Sequence, residues 1–179
     1  ATYDIQFGNL ERNTHHSTSW DWAKFEVCAH KWIDLSEHGY GVALLNNCKY
    51  GHSVCNGHMA ISLIKCATWP APDADQGEHA FMYSLLPHAG GWREAGVHQQ
   101  GEWINQPLTA MAGRASETNK RLIWVNSDEV SIDAIKPAED GNGFIVRMHE
   151  YQGGHTHVRI GSDYAAMQLT PVNMLEETM

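Results

Sequence analysis

Twelve histidines in a chain of 179 residues raise metal ligation first, because imidazole is the commonest protein ligand for zinc and its neighbours. The spacing resists it. His15 and His16 are adjacent, so on a strand they would point to opposite faces. His155 and His157 could share a face, yet no carboxylate or thiol stands near them in sequence to complete a shell. No metal site is assigned from the residues alone. Paired carboxylates are equally unconvincing. Asp73, Asp75 and Glu78 lie in a Pro-rich loop, P-A-P-D-A-D-Q-G-E-H, where the ordinary job of Asp is to cap turns and stay solvated. A glycosidase needs two acids at a fixed separation across the scissile bond, and nothing local enforces that here. Trp20, Trp22, Trp32, Trp69, Trp92 and Trp103 could stack on sugar rings, although Trp in a β-sandwich more often fills the core. No G-x-S-x-G, P-loop, G-x-G-x-x-G or H-E-x-x-H run occurs, so the commonest hydrolase and nucleotide motifs are absent.

Charge narrows the partners. Lys and Arg number 12 against 21 Asp and Glu, a formal net charge of −9, which opposes attraction to phosphate backbones and anionic lipid; neither nucleic acid nor membrane is an expected partner. The longest apolar runs, Tyr40 to Leu45 and Leu122 to Val125, fall far short of the ~20 residues that cross a bilayer. Cys28, Cys48, Cys55 and Cys66 form no C-x-x-C pair, and no N-x-S/T sequon occurs; free buried thiols and a cytoplasmic location are the expectation. The start, Ala1-Thr2-Tyr3-Asp4, is already patterned as a strand without a leader, which predicts either a removed leader or a longer parent.

The elements that must position any site read as β throughout. Period-two alternation runs through Tyr3, Ile5 and Phe7, through Phe25, Val27 and Ala29, and through Met59, Ile61 and Leu63; no sustained helical periodicity accompanies it. Phe81-Tyr83-Leu85, Leu122 to Val125, Val130-Ile132, Phe144-Val146-Met148 and Val158-Ile160 continue the pattern between Gly-, Pro- and Asn-rich breaks. Asp140-Gly141-Asn142-Gly143 and Gln152-Gly153-Gly154 specify tight turns, which predicts a meander of strands 129–138, 143–150 and 155–161. The alternation lapses between Asn105 and Lys120, so a connector at 106–120 is expected to separate a unit at 1–105 from one at 121–179. The fold class is all-β, an antiparallel sandwich.

Particular words then matter more than composition. Q-F-G-N-L-E-R at 6–12, T-S-W-D-W-A-K-F-E-V at 18–27, H-K-W-I-D-L-S-E at 30–37 and Y-G-V-A-L-L-N-N-C-K-Y-G-H-S-V at 40–54 resemble consecutive blocks of family 38 α-mannosidases, in their cytosolic, vacuolar and bacterial branch. P-D-A-D-Q-G-E-H at 72–79, S-L-L-P-H-A-G-G-W-R-E-A-G-V at 84–97 and A-E-D-G-N-G-F-I-V-R-M-H-E at 138–150 continue the resemblance. All of these blocks belong to the C-terminal half of that family.

The resemblance implies a galactose-mutarotase-like supersandwich portion at 1–105 and a smaller terminal β-sandwich at 121–179, truncated where a longer parent would supply its closing strands. It implies a retaining α-mannosidase acting on terminal α-linked mannose, whose aspartate nucleophile, acid/base aspartate and zinc reside in an N-terminal barrel. No catalytic residue and no metal is then expected in this chain, which would be inactive alone. Its partners would be that barrel, a helical bundle, a mannose-containing oligosaccharide and further copies in a homo-oligomer. The resemblance also brings a supersandwich loop to the active-site rim, which singles out Asn47, Lys49 and Tyr50 as substrate-binding residues, Lys49 and Asn47 for hydroxyls and Tyr50 for a ring. The same loop reads equally as a tight strand connection, and Asn47 stands where the family usually has Asp. Trp20-Asp21-Trp22 on a strand would place both rings on one face for core or interdomain packing. The alternative to an enzyme part is a non-catalytic carbohydrate-binding or oligomerisation sandwich.

Overall fold

A computed structural model describes residues 1–113, 120–164 and 168–179. It comprises two compact units, Ala1–Thr109 and Ala110–Met179. Residues 114–119, which fall within the expected connector at 106–120, lie outside the described residues.

The first unit is a β-sandwich. Strands β1 (Thr2–Ile5), β2 (Gly8–Glu11), β4 (Trp32–Glu37), β5 (Tyr40–Asn46) and β8 (Tyr83–Ala89), with β3 (Val27–Cys28), β6 (Gly51–Cys55) and β7 (His58–Ser62), form two sheets. One has the order β2-β1-β4-β5-β8 and the other β3-β6-β7, with every pairing antiparallel. The core fills the gap between them. Tyr3, Ile33 and Leu44 from the large sheet meet Val54 from the small one around Ala29, with Val27, Leu35, Met59 and Ile61 packed against the cluster. Register puts Tyr3, Ile33 and Leu44 in one row, since Tyr3 pairs with Ile33 and Ile33 with Leu44.

The opposite face of the large sheet is buried too, which is why β5 reads as a nearly unbroken apolar run rather than an alternating one. Helix α2 (Val97–Asn105) packs on β4 and β5, and the Trp32 and Trp92 rings meet there with centroids 5.0 Å apart. The same face buries Asp34, at 1% exposure. Its carboxylate is not bare: His88 Nε2 lies 2.7 Å from Oδ1, and the Ser36 hydroxyl donates to Oδ2. A second buried acid, Asp4, accepts the Lys31 backbone N–H at 2.9 Å and fixes the corner that leads into β4.

Two local expectations are corrected. Thr18-Ser19-Trp20-Asp21 is not strand but the start of a one-turn helix, α1 (Ser19–Ala23), closed by a capping box between Thr18 and Asp21. The box satisfies two backbone donors at once, and that outweighs the alternation seen around it; only Val27–Cys28 of the expected strand pairs. Helix α2 was not foreseen, because its buried side is only Val97, His98 and Gly101, too thin a stripe to register as a period.

The second unit holds β9 (Trp124–Val125), β10 (Val130–Pro137), β11 (Phe144–Glu150) and β12 (Ile160–Gly161). The 140–143 turn forms as expected: Gly141 and Gly143 take positive φ, and β10 pairs antiparallel with β11. The meander fails at its third strand, since β12 pairs with β9. Glu150 causes the diversion. Its carboxylate accepts the N–H groups of Gln152 and Gly153, turning the chain away, while Asn126 captures the Arg159 N–H at 2.6 Å and aligns β12. Tyr151, at 4% exposure, anchors the junction through its hydroxyl on the Asp128 carbonyl.

Candidate functional site

The loop between β5 and β6 is built around Asn46, the last residue of an apolar strand and itself 0% exposed. Its Oδ1 accepts the backbone N–H groups of Cys48 at 3.1 Å and Lys49 at 2.7 Å. Its Nδ2 donates to the His30 carbonyl at 2.9 Å and lies 3.4 Å from His52 Nε2. Burial pushes the pKa of His52 below its ordinary value, so the ring stays neutral and can accept. From α2, Asn105 donates to the Asn46 carbonyl at 3.0 Å. A short polar side chain that captures amides two and three residues ahead is the mechanism by which Asn fixes a turn, and here it sets a loop against a buried frame.

The three residues expected to bind substrate share this loop but face different neighbours. Asn47 Oδ1 accepts the Met82 N–H at 2.9 Å, and its own N–H donates to the Met82 carbonyl; that oxygen extends the pairing of β5 with β8. Lys49 is half-buried, with Nζ 5.2 Å above the Phe81 ring. Tyr50 is exposed and packs edge-on against His30, with centroids 5.5 Å apart.

Of the three, Lys49 alone lines the adjoining cleft, an open space of about 490 Å³ bordered by Glu26, Ser62, Lys65, Asp75 and His79 over Leu63 and Ile64. Gly51 lines it as well, and a Cβ there would push the exposed Glu26 carboxylate aside. Asp75 belongs to the acidic Pro-rich loop, and it ties that loop to an earlier segment: Oδ2 accepts the Cys66 N–H at 2.9 Å, and the Asp75 carbonyl lies 2.8 Å from His79 Nε2. Sequence reasoning weighed Asn47 and passed over Asn46. The signal available was an Asn closing a run of buried apolar residues immediately before N-C-K-Y-G.

Other candidates fall differently from expectation. Trp20 and Trp22 are 70% and 64% exposed, so they are not core; on a helical turn they diverge rather than share a face. Asp21 holds their turn, accepting from Ser17, Thr18 and Asn13, and those hydrogen bonds bring its pKa down to about 2. The four cysteines are free, but Cys28, Cys48 and Cys66 are exposed rather than buried, since each sits on a turn or an outward strand position. His16 touches the Trp22 ring and lies 3.8 Å from Cys55 Sγ. Among the described residues no group of three or more His, Cys, Asp or Glu could hold a metal ion, and no helix is long and apolar enough to cross a membrane.

Comparison with known proteins adds a family to this geometry. Residues 1–73 match the glycosyl hydrolases family 38 C-terminal domain, and residues 129–179 match the glycosyl hydrolases family 38 C-terminal beta sandwich domain. Alpha-mannosidase 2C1 of Homo sapiens is 46% identical over 160 residues, 87% of this chain and 15% of that protein. Alpha-mannosidase G of Dictyostelium discoideum is 45% identical over 161 residues, again 87% of this chain and 15% of its own length. The chain therefore spans about a sixth of the curated relatives it matches. An alpha-mannosidase from Enterococcus faecalis has the same fold over 99% of this chain and 22% of its own, with a TM-score of 0.81 at 21% identity.

Proposed function

The chain belongs to the C-terminal β region of glycoside hydrolase family 38, and from that premise we propose that it is the scaffold and pocket-completing part of a retaining α-mannosidase that releases terminal α-linked mannose from oligosaccharides. The observation that carries the proposal is the order of the two domain matches along one chain, the family 38 C-terminal domain first and the C-terminal beta sandwich domain second. Bond cleavage falls to two carboxylates flanking the scissile bond, carried on polypeptide outside these 179 residues, so the isolated chain is inactive. Zinc, implied by the family resemblance, belongs to that same catalytic portion; the residues described here do not assemble a set of ligands for it.

What this chain adds is a wall. Lys49, held by Asn46, offers an ammonium donor to sugar hydroxyls, and exposed Tyr50 offers a ring face. Asn47 contributes through its amide nitrogen, its oxygen being engaged with Met82. The acidic surface suits a neutral glycan rather than a polyanion. Unpaired thiols accord with a cytoplasmic location, and self-assembly of the longer protein through its β domains completes the proposal. The test is kinetic. The full-length protein turns over an aryl α-mannoside, and Lys49→Met raises KM roughly tenfold, the worth of a charged hydrogen bond of ~1.5 kcal/mol. An unchanged KM removes Lys49 from the pocket.

A second reading has one specific support, the exposure of Trp20 and Trp22. As a carbohydrate-binding module, the isolated chain would bind manno-oligosaccharides saturably and lose that binding in Trp20→Ala.

A further inference from the structure

Cys55 closes β6 at the end away from the β5–β6 loop and is half-buried, whereas Cys28, Cys48 and Cys66 are exposed. Among the described residues it is the one cysteine whose sulfur meets an imidazole: His16 Nδ1 lies 3.8 Å from Cys55 Sγ, within hydrogen-bond reach of the larger sulfur atom. The surroundings hold the pair together. The Asn56 N–H donates to the Thr14 carbonyl at 3.1 Å, which ties the segment carrying His16 to the turn after β6. Asp21 secures the same segment through the Ser17 N–H and the Asn13 amide, each at 3.0 Å, and the Trp22 ring backs the imidazole with centroids 4.8 Å apart. Arg12 and Lys24 border the recess at Cys55 and favour negative charge there, while the carboxylate beside them, Asp21, is engaged by its own turn. A thiol attacks as its thiolate, of which an ordinary cysteine holds only a few per cent at neutral pH. An imidazole in contact with the sulfur takes the proton as the attack proceeds.

We propose that Cys55 is a peroxide-reactive thiol, an oxidative modification site with His16 as its base. The sulfur attacks one oxygen of hydrogen peroxide while His16 Nδ1, in the tautomer that leaves this nitrogen bare, takes the thiol proton. The S–O bond forms, the O–O bond breaks, and the departing hydroxide receives that proton from His16. The products are water and a sulfenic acid on Cys55. Sulfur loses the two electrons that the peroxide gains, so no other oxidant enters the step. The site involves no sugar, so it goes beyond the mannosidase reading and does not rest on it.

The experiment treats the full-length protein with hydrogen peroxide in the presence of dimedone, which traps sulfenic acids, and follows each cysteine by peptide mass spectrometry. The expected result is that Cys55 is labelled about tenfold faster than Cys28, Cys48 or Cys66, although those three are the more exposed, and that His16→Gln removes the advantage. The ranking in the wild-type protein needs no substitution, so it decides the matter even where His16→Gln disturbs folding. Labelling that follows exposure, with Cys55 slowest, overturns the site. An undiminished Cys55 rate in folded His16→Gln protein overturns it as well.

Discussion

Replacing Asn46 by Ala removes a hub without touching any residue proposed to contact sugar. Three backbone groups lose their partner: the N–H of Cys48, the N–H of Lys49 and the carbonyl of His30. At about 1 kcal/mol of net stabilisation each, the folded loop loses roughly 3 kcal/mol, which converts to about two orders of magnitude in the population of the native conformation. A native β-sandwich then carries a loop that presents Lys49 only part of the time. The expected KM for an aryl α-mannoside rises by up to about tenfold in the full-length protein, bounded by the worth of the Lys49 contact, with kcat changing less. Because Asn46 acts through Lys49, the double variant Asn46→Ala/Lys49→Met is no worse than the Lys49→Met single variant. A folded Asn46→Ala protein with wild-type KM refutes the reasoning. So does strict additivity with Lys49→Met, which would mean that Asn46 matters only to stability.

Three further outcomes follow from the same structure. His88→Ala leaves the Asp34 carboxylate at 1% exposure without the imidazole beside it, and is expected to destabilise the first unit by about 3–5 kcal/mol; an unchanged urea midpoint would contradict the buried pair. Tyr151→Phe removes the hydroxyl that donates to the Asp128 carbonyl and is expected to cost about 1–2 kcal/mol in the second unit, read by thermal unfolding. Asp21 has its pKa lowered from 3.8 to about 2. The unfolded chain therefore takes up its proton first, and the cap that Asp21 provides is fully present above pH ~4 and lost as pH falls through about 2. Trp20 and Trp22 fluorescence reports that transition, and Asp21→Asn should abolish its pH dependence.

The sandwich was legible because burial on both faces leaves a mark in the residues: Tyr40 to Leu45 is apolar almost throughout, and the large sheet is covered on one side by the small sheet and on the other by α2. The 140–143 hairpin was legible for the local reason that Gly and Asn tolerate its backbone. What escaped depended on side chains acting at short range against the dominant pattern. Thr18 and Asp21 wind a single turn of helix inside an alternating stretch, and Glu150 deflects a strand that the Gly-Gly turn seemed to return. Within the β5–β6 loop, the sequence drew attention to Asn47, whereas the buried hub is Asn46. Asn47 and Asn46 are identical in type and adjacent; only the fold buries one and exposes the other.

The central claim is a division of labour: this chain frames and edges the pocket while acids and metal elsewhere break the bond. Turnover of an aryl α-mannoside in the presence of zinc, measured side by side for the 179-residue chain and the full-length protein, tests it most directly. Activity in the longer protein and silence in the shorter is the predicted result; zinc-dependent hydrolysis by residues 1–179 alone would contradict it.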